Sequence, residues 1–190
     1  MTITRRRALG ALAAVTATAA AALPARAAEA AVIDARVNLA MGRLWSEVPS
    51  ARDIASRAKA MLVMPEVVKG GFILGGAYGE GALRLNDPVE GYEKKGGYYS
   101  VGAASIGLQI GVQSTSHVLF FMTDAALDKF RRSDGWEAGV DAEITFPDAG
   151  LNAGVDSTTL EKPVIGVVFA EDGLLVGASL AGAKYSPIQR

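Results

Sequence analysis

The chain has 190 residues, half of them apolar and 21% charged, which suffices for one compact domain and excludes disorder as the dominant state. With no Cys there is no disulfide framework, thiol nucleophile or thiolate metal site, and a single His, His117, removes most ordinary hydrolase and metalloenzyme sites. The 22 Gly and 7 Pro follow no fixed period, so collagen-like and Pro-rich classes fail and the glycines must punctuate a folded structure.

Residues 1–27 read as a cleaved export signal. Thr4, Arg5, Arg6, Arg7, Ala8 and Leu9 form a basic opening, an Ala-rich apolar stretch runs to Leu23, and Ala25-Arg26-Ala27 offers a small-x-small cleavage site. The Thr-Arg-Arg opening resembles a twin-arginine signal, with Ala8 where that motif usually carries a large apolar residue; the general secretory route is the alternative. Either route predicts an exported, periplasmic or cell-envelope location. Of the 19 basic residues four lie in this segment and none of the 20 acids does, so 15 basic residues face 20 acidic ones from Ala28 onward, a net charge of −5. That balance argues against nucleic acid, which rewards clustered positive charge, and any anionic partner must be met by a local patch.

From Glu29 to Trp45, Ile33, Val37, Ala40 and Leu44 recur at helical spacing, with Met41 and Trp45 on an adjoining stripe. Pro49 ends this helix. Ser50 and Asp53 form a Ser-x-x-Asp arrangement that predicts a capped second helix through about Lys59.

Beyond Met61 the pattern turns to short β-branched and aromatic runs separated by glycines. Strands are predicted near Ala60–Met64, Gly71–Ala77, Gly81–Leu85, Tyr98–Ala104, Gly107–Gln113, His117–Met122, Glu137–Ile144, Val164–Ala170 and Leu174–Leu180. One helix interrupts them, Ala125–Arg132, capped by Asp124. The stretches Asn86–Gly97 and Pro147–Pro163 read as polar loops. Short Gly-rich connections without βαβ alternation imply mostly antiparallel pairing, and glycines within strands imply bulges and bends. The expected class is α+β: two N-terminal helices on a mostly antiparallel, glycine-rich curved sheet or partly closed barrel, one domain over residues 28–190. Its buried faces are assigned Val63, Ile73, Leu83, Ile106, Leu108, Ile110, Leu119, Phe121, Phe130, Ile144, Val167 and Leu175.

Three stretches carry a family resemblance. "AKAMLVMPEVVKGGFILGGAYGEGAL" (Ala58–Leu83), "VGAASIGLQIGVQSTSHVLFFMTDAALDKFRRSDGWEAGVDAEITFPDAG" (Val101–Gly150) and "GLLVGASLAGAKY" (Gly173–Tyr185) resemble, in order, the opening, central and closing blocks of the SYLF family of lipid-binding domains. The resemblance implies lipid binding. Eukaryotic relatives bind phosphoinositide membranes and some bind actin filaments. The export signal puts this chain where actin is not expected, and it lacks the Src-homology extension of some relatives.

Each conspicuous residue has a competing plain reading. Gly75, Gly76, Gly79 and Gly81 offer backbone N–H groups for a phosphate, but their spacing fits neither G-x-G-x-x-G nor the P-loop, and hairpin or bulge geometry is preferred. His117 lacks an evident nucleophile and orienting partner, so a hydrogen-bonded structural role is preferred to catalysis. Asp141 and Glu143, two apart on one predicted strand face, could join Asp148 around a hard cation; no EF-hand spacing supports this, and a solvated face is preferred. No metal or other cofactor is expected.

Lys94 and Lys95 stand beside Tyr92, Tyr98 and Tyr99, and Arg131 and Arg132 end a predicted helix near Trp136. Cations beside interfacial aromatics suit a lipid headgroup surface, although basic residues are also ordinary in loops and at helix C-termini. Lys94, Lys95, Tyr98, Tyr99, Arg131, Arg132 and Trp136 are therefore the candidate lipid-binding residues. The leading expectation is a non-enzymatic domain whose partner is an anionic phospholipid or membrane surface, through a patch or an apolar groove. An envelope scaffold with a protein partner is the alternative, and an enzyme of unrecognised chemistry comes last.

Overall fold

The fold comes from a computed structural model, which describes residues 29–71, 74–89, 91–106, 113–146, 157–170, 173–175 and 180–190. The export signal, residues 107–112 of the strand expected at Gly107–Gln113, residues 176–179 of the one expected at Leu174–Leu180, and Asp148 lie outside them. Helix α1 (29–47) is followed by α2 (Ala51–Arg57), then β1 (Ala60–Gly71), β2 (Leu74–Asp87), β3 (Gly91–Ile106) and β4 (Gln113–Phe121). Helix α3 (Asp124–Arg132), β5 (Trp136–Glu137), the short α4 (Ser157–Leu160), β6 (Val164–Ala170), β7 (Gly173–Leu174) and β8 (Lys184–Ile188) complete the order. The strands form one sheet, β5-β8-β3-β2-β1-β4-β6-β7, in which every named pair is antiparallel. The α+β class stands.

The helical stripe behaves as its spacing predicts: Ile33, Val37, Ala40 and Leu44 are all buried, and Met41 and Trp45 pack at their margin. The capping box does not form. Ser50 is itself in helical conformation and makes no side-chain cap, because the backbone carbonyls of Val48, Pro49 and Ser50 already take the N–H groups of Ala51, Arg52 and Asp53. At α3 the cap is Thr123, whose hydroxyl accepts from the Ala126 N–H at 3.2 Å; Asp124 instead supplies negative charge to the first turn.

Several strands are longer than the alternation predicts. Ala60–Met64 is the first half of β1, and Gly81–Leu85 is part of a β2 that begins at Leu74, so Gly71 and Leu74 flank a hairpin instead of starting one strand. The expected loop at Asn86–Gly97 is mostly the first arm of β3. Its glycines, Gly91 and Gly97 at φ +56° and +121°, mark the turn and a register shift rather than a flexible segment. The predicted Glu137–Ile144 strand is reduced to Trp136–Glu137. Beyond it Gly139 turns at φ +84° and the Asp141 carboxylate accepts the Glu137 N–H at 2.8 Å, closing a tight turn. Asp141 and Glu143 therefore share no strand face. The sequence pattern predicts no strand over β8, which pairs with β3 and β5.

Strand β1 slips register against both neighbours around Met64–Glu66, a bulge that coils the sheet. Gly79 and Gly81 on β2 face that bulge, where a Cβ would collide with the backbone oxygens of Glu66 and Val63. Their N–H groups lie along a paired strand and their φ angles are not positive, so they serve close strand approach opposite the β1 bulge, without the positive φ that the hairpin or bulge reading assigned to glycine.

Alternation along β1 and β4 feeds two cores. Met61, Val63, Val118 and Phe120 pack with α1 and α2 on one face, while Leu62, Met64, Leu119 and Phe121 pack with α3, Trp136 and Tyr185 on the other. Covering on both faces explains the runs of apolar residues in β1, β4 and β6. Val63, Leu83, Leu119, Phe121, Phe130 and Val167 are buried as expected. Ile144 is half-buried at the margin of the second core, and Leu175 is exposed because β7 stops at Leu174. The side chains of Ile73, Ile106, Leu108 and Ile110 lie outside the description.

Candidate functional site

The seven candidate lipid-binding residues do not share one face. Lys94 pairs with Asp87 at 2.6 Å across the β2–β3 hairpin. Lys95 reaches Asp34 of α1 at 2.5 Å, and the Tyr98 hydroxyl donates to the same carboxylate oxygen at 3.0 Å. The other oxygen of Asp34 takes the Arg84 guanidinium at 3.0 Å, which also donates to Asn38 at 3.3 Å. Burial works against the Asp34 carboxylate, yet Lys95, Tyr98 and Arg84 together hold it below its ordinary range. Lys95 and Tyr98 are thus parts of a clasp between α1 and the sheet.

Tyr99 and Trp136 belong to the opposite core. Tyr99 stacks on Phe130 with ring centroids 4.8 Å apart, and Trp136 meets Phe130 at 5.6 Å and Tyr185 at 5.9 Å. Trp136 is 1% exposed, so the expectation of an interfacial ring at this position is corrected: its indole fills the core under α3. Tyr99 is corrected for the same reason. Arg131 and Arg132 are exposed at the C-terminal end of α3, with Arg132 loosely paired to Asp128 at 3.4 Å.

A different feature offers a binding volume. On the α3 side of the sheet, beyond the aromatic cluster, a cleft of about 300 Å³ opens among β1, β2, β3, β4 and β6 and the segment 180–183. It exists because Ala77 and Ala103 follow Gly79 and Val101 along the inner face, leaving little side chain to fill the space over a coiled sheet. Val67, Val101, Val168 and Leu180 make its walls apolar. Among the described residues its polar groups are Lys69, Gln113, Thr115 and His117, of which Lys69 alone is charged. Among the described residues Lys69 makes no ion pair.

Strand β4 grades this cleft from outside to inside. Gln113 is exposed, Thr115 half-buried and His117 buried, all on one face two residues apart. The Thr115 hydroxyl lies 2.9 Å from His117 Nε2, while Nδ1 is buried with no partner among the described residues. Burial lowers the His117 pKa to about 4, so the imidazole is neutral at neutral pH and too weak a base for acid–base work there. Ser116, the nearest serine on this strand, donates to the Pro65 carbonyl at 2.7 Å, away from the imidazole. The hydrogen-bonded reading of His117 fits this geometry. What sequence reasoning missed was that His117, Thr115 and Lys69 line a cavity; the i, i+2 pattern was visible, but the small residues opposite it became meaningful only once β2 and β3 were paired.

A second hollow, between the start of α1 and strands β1 and β2, pairs its own charges. Arg190 pairs with Glu80 and Glu29, and Arg36 with Glu66. Among the described residues no group of three or more His, Asp and Glu side chains is placed to hold a metal ion, and no helix is long and apolar enough to cross a membrane.

Residues 102–189 match the family model described as "Ysc84: Las17-binding protein actin regulator". This stretch is similar to the Ysc84 (SYLF) family. No curated protein matches it. The Ysc84 match starts within β3 and runs through β8, so it supplies Ala103, Thr115, His117 and Val168 of the cleft, while Val67, Lys69 and Ala77 come from the strands before it. The SYLF family is one of binding domains.

Proposed function

We propose that this SYLF domain is a non-enzymatic phospholipid-binding module of the cell envelope, exported by the signal at residues 1–27. The observation that carries the reading is the apolar cleft on the sheet face, with Lys69 as the one cation among its described lining residues and neutral polar groups deeper in. Burying methylenes against its Val, Leu and Ala walls stabilises a lipid chain by about 0.8 kcal/mol per CH₂. The family description names Las17 binding and actin regulation; export separates this chain from actin and leaves lipid as the shared ligand class. A protein scaffold working through sheet edges is less favoured, because the edge strands β5 and β7 pair over two residues each.

The deciding experiment is organic extraction of the untagged mature chain purified from envelope fractions, with mass spectrometry of the extract. It is joined to co-sedimentation with phosphatidylglycerol and with phosphatidylcholine vesicles. Recovered phospholipid, or sedimentation that favours the anionic vesicles, supports the reading. An empty extract together with no sedimentation would discard it and promote the scaffold.

A further inference from the structure

The cleft has a direction that the family does not supply. Its charged mouth is Lys69, whose cross-strand partner is Gln113. Among the described residues no carboxylate lines the cleft although acids outnumber bases from Ala28 onward, so the mouth complements an anion. Two residues deeper, about 7 Å along the strand, stands Thr115 opposite Val67. Beyond it, apart from His117, the described walls are apolar.

The Thr115–His117 pair can be oriented by hydrogen-bond bookkeeping. A neutral imidazole carries one N–H, and His117 Nδ1 is buried without a partner among the described residues. Placing the proton on Nε2 leaves only a lone pair unmet at Nδ1, whereas the other tautomer would strand an N–H donor there. His117 therefore donates to the Thr115 oxygen, and the Thr115 proton is free to donate into the cleft. A hydroxyl donor set in an apolar wall calls for an acceptor that is itself attached to an apolar chain.

We propose that the cleft holds a monoacyl anionic phospholipid, with its phosphate at Lys69 and Gln113, its ester carbonyl accepting from Thr115, and its single chain running inward past Val101 and Val168. The glycerol link between phosphate and ester matches the step from Gln113 to Thr115. One chain is all the space allows, since about 300 Å³ lies at the lower end of small-molecule sites. This rests on the lipid-binding reading above and narrows it to one ligand class and one polar contact.

The test uses the untagged mature chain and monomeric probes below their micelle concentrations. Lauroyl lysophosphatidic acid has chain, ester and phosphate; dodecyl phosphate lacks the ester; monolauroylglycerol lacks the phosphate. By calorimetry the lysophosphatidic acid should bind tighter than dodecyl phosphate by roughly three- to tenfold, the range of one hydrogen bond. Thr115→Val should erase that preference while dodecyl phosphate still binds, and Thr115→Ser should restore it. Lys69→Gln should weaken both phosphates and leave monolauroylglycerol unchanged. As the chain's one histidine, His117 gives a single imidazole ¹⁵N signal pair, which should shift with lysophosphatidic acid and not with dodecyl phosphate. Equal affinity for the two phosphates, or a preference that survives Thr115→Val, overturns the proposal. Vesicle binding without any monomer binding overturns it too while leaving the broader lipid reading intact, and loss of both removes both.

Discussion

The Asp34 carboxylate of α1 meets the guanidinium of Arg84, 50 residues later on β2, at 3.0 Å, and Arg84 is only 2% exposed. A buried cation whose partner is removed is strongly destabilising, so Asp34→Ala should cost about 3–5 kcal/mol in urea unfolding. Lys95→Ala, which removes the half-exposed cation from the same carboxylate, should cost no more than about 1 kcal/mol. Because the folded carboxyl sits below its ordinary 3.8, the clasp contributes fully above that pH and is lost as pH falls below it. Asp34→Asn should flatten the acid limb of the stability curve there. An acid limb unchanged in Asp34→Asn would show that the clasp does not stabilise α1.

His117 titrates the other way round from a salt-bridged histidine. Its folded pKa, lowered by burial to about 4 from 6.5, means the unfolded chain takes up a proton first as pH falls. Stability is therefore whole above about 6.5 and declines from there down to about 4, by about 3 kcal/mol if this group acts alone. His117→Phe should remove that slope. An NMR titration of the imidazole with a midpoint near 6.5 would contradict the burial argument.

The fold was legible wherever one periodicity ruled a segment. Ile33, Val37, Ala40 and Leu44 give α1 its buried stripe, and β6 ends where its apolar run ends. Boundaries failed where local chemistry yielded to pairing: Lys94 and Lys95 look like loop residues, yet β2 extends the sheet across from them. The site was less legible for a similar reason. Trp136 and Tyr99 look like interfacial aromatics in sequence, and only packing against Phe130 and Tyr185 shows that they fill a core. The cleft arises from the small side chains of Ala77, Ala103 and Ala104, which no local pattern announces before the strands are paired.

The glycines of β2 and β3 should separate by position. At Gly81 a methyl group would meet the backbone of Val63 and Met64, which cannot move without disturbing the bulge. Gly81→Ala should cost about 1–3 kcal/mol or more. Gly102→Ala on β3 has open space at its Cβ and an ordinary φ, so it should be neutral or stabilise by about 0.5–1 kcal/mol. Chemical denaturation of the two variants checks the contrast, and equal effects would dismiss the close-approach argument.

Export is checked apart from folding. Cleavage after Ala27 should leave Ala28 as the first residue, only one position before the first described residue of α1. Mass spectrometry of the exported chain reads this directly. The paired substitution of Arg5→Lys and Arg6→Lys should block export if the twin-arginine route is used; undiminished export would assign the chain to the general secretory route.

Surface charge and buried rings should have separable effects on vesicle binding. Arg131 and Arg132 stand exposed at the end of α3, whereas Lys94 and Lys95 already face Asp87 and Asp34. A basic residue near an anionic surface contributes about 1 kcal/mol, and only where its charge is not already offset. Replacing Arg131 and Arg132 with Gln should thus weaken binding to phosphatidylglycerol vesicles by up to about 2 kcal/mol at low salt and flatten the salt dependence. The same change at Lys94 and Lys95 should do less. Trp136→Ala should lower stability by about 3–5 kcal/mol, as for a large aromatic removed from a core, while the folded fraction keeps the salt dependence of the parent. Co-sedimentation across a salt series, with unfolding curves of each variant, distinguishes these outcomes. If Lys94 and Lys95 prove as important as the α3 arginines, their ion pairs open at the membrane, and the β2–β3 hairpin becomes part of the binding face.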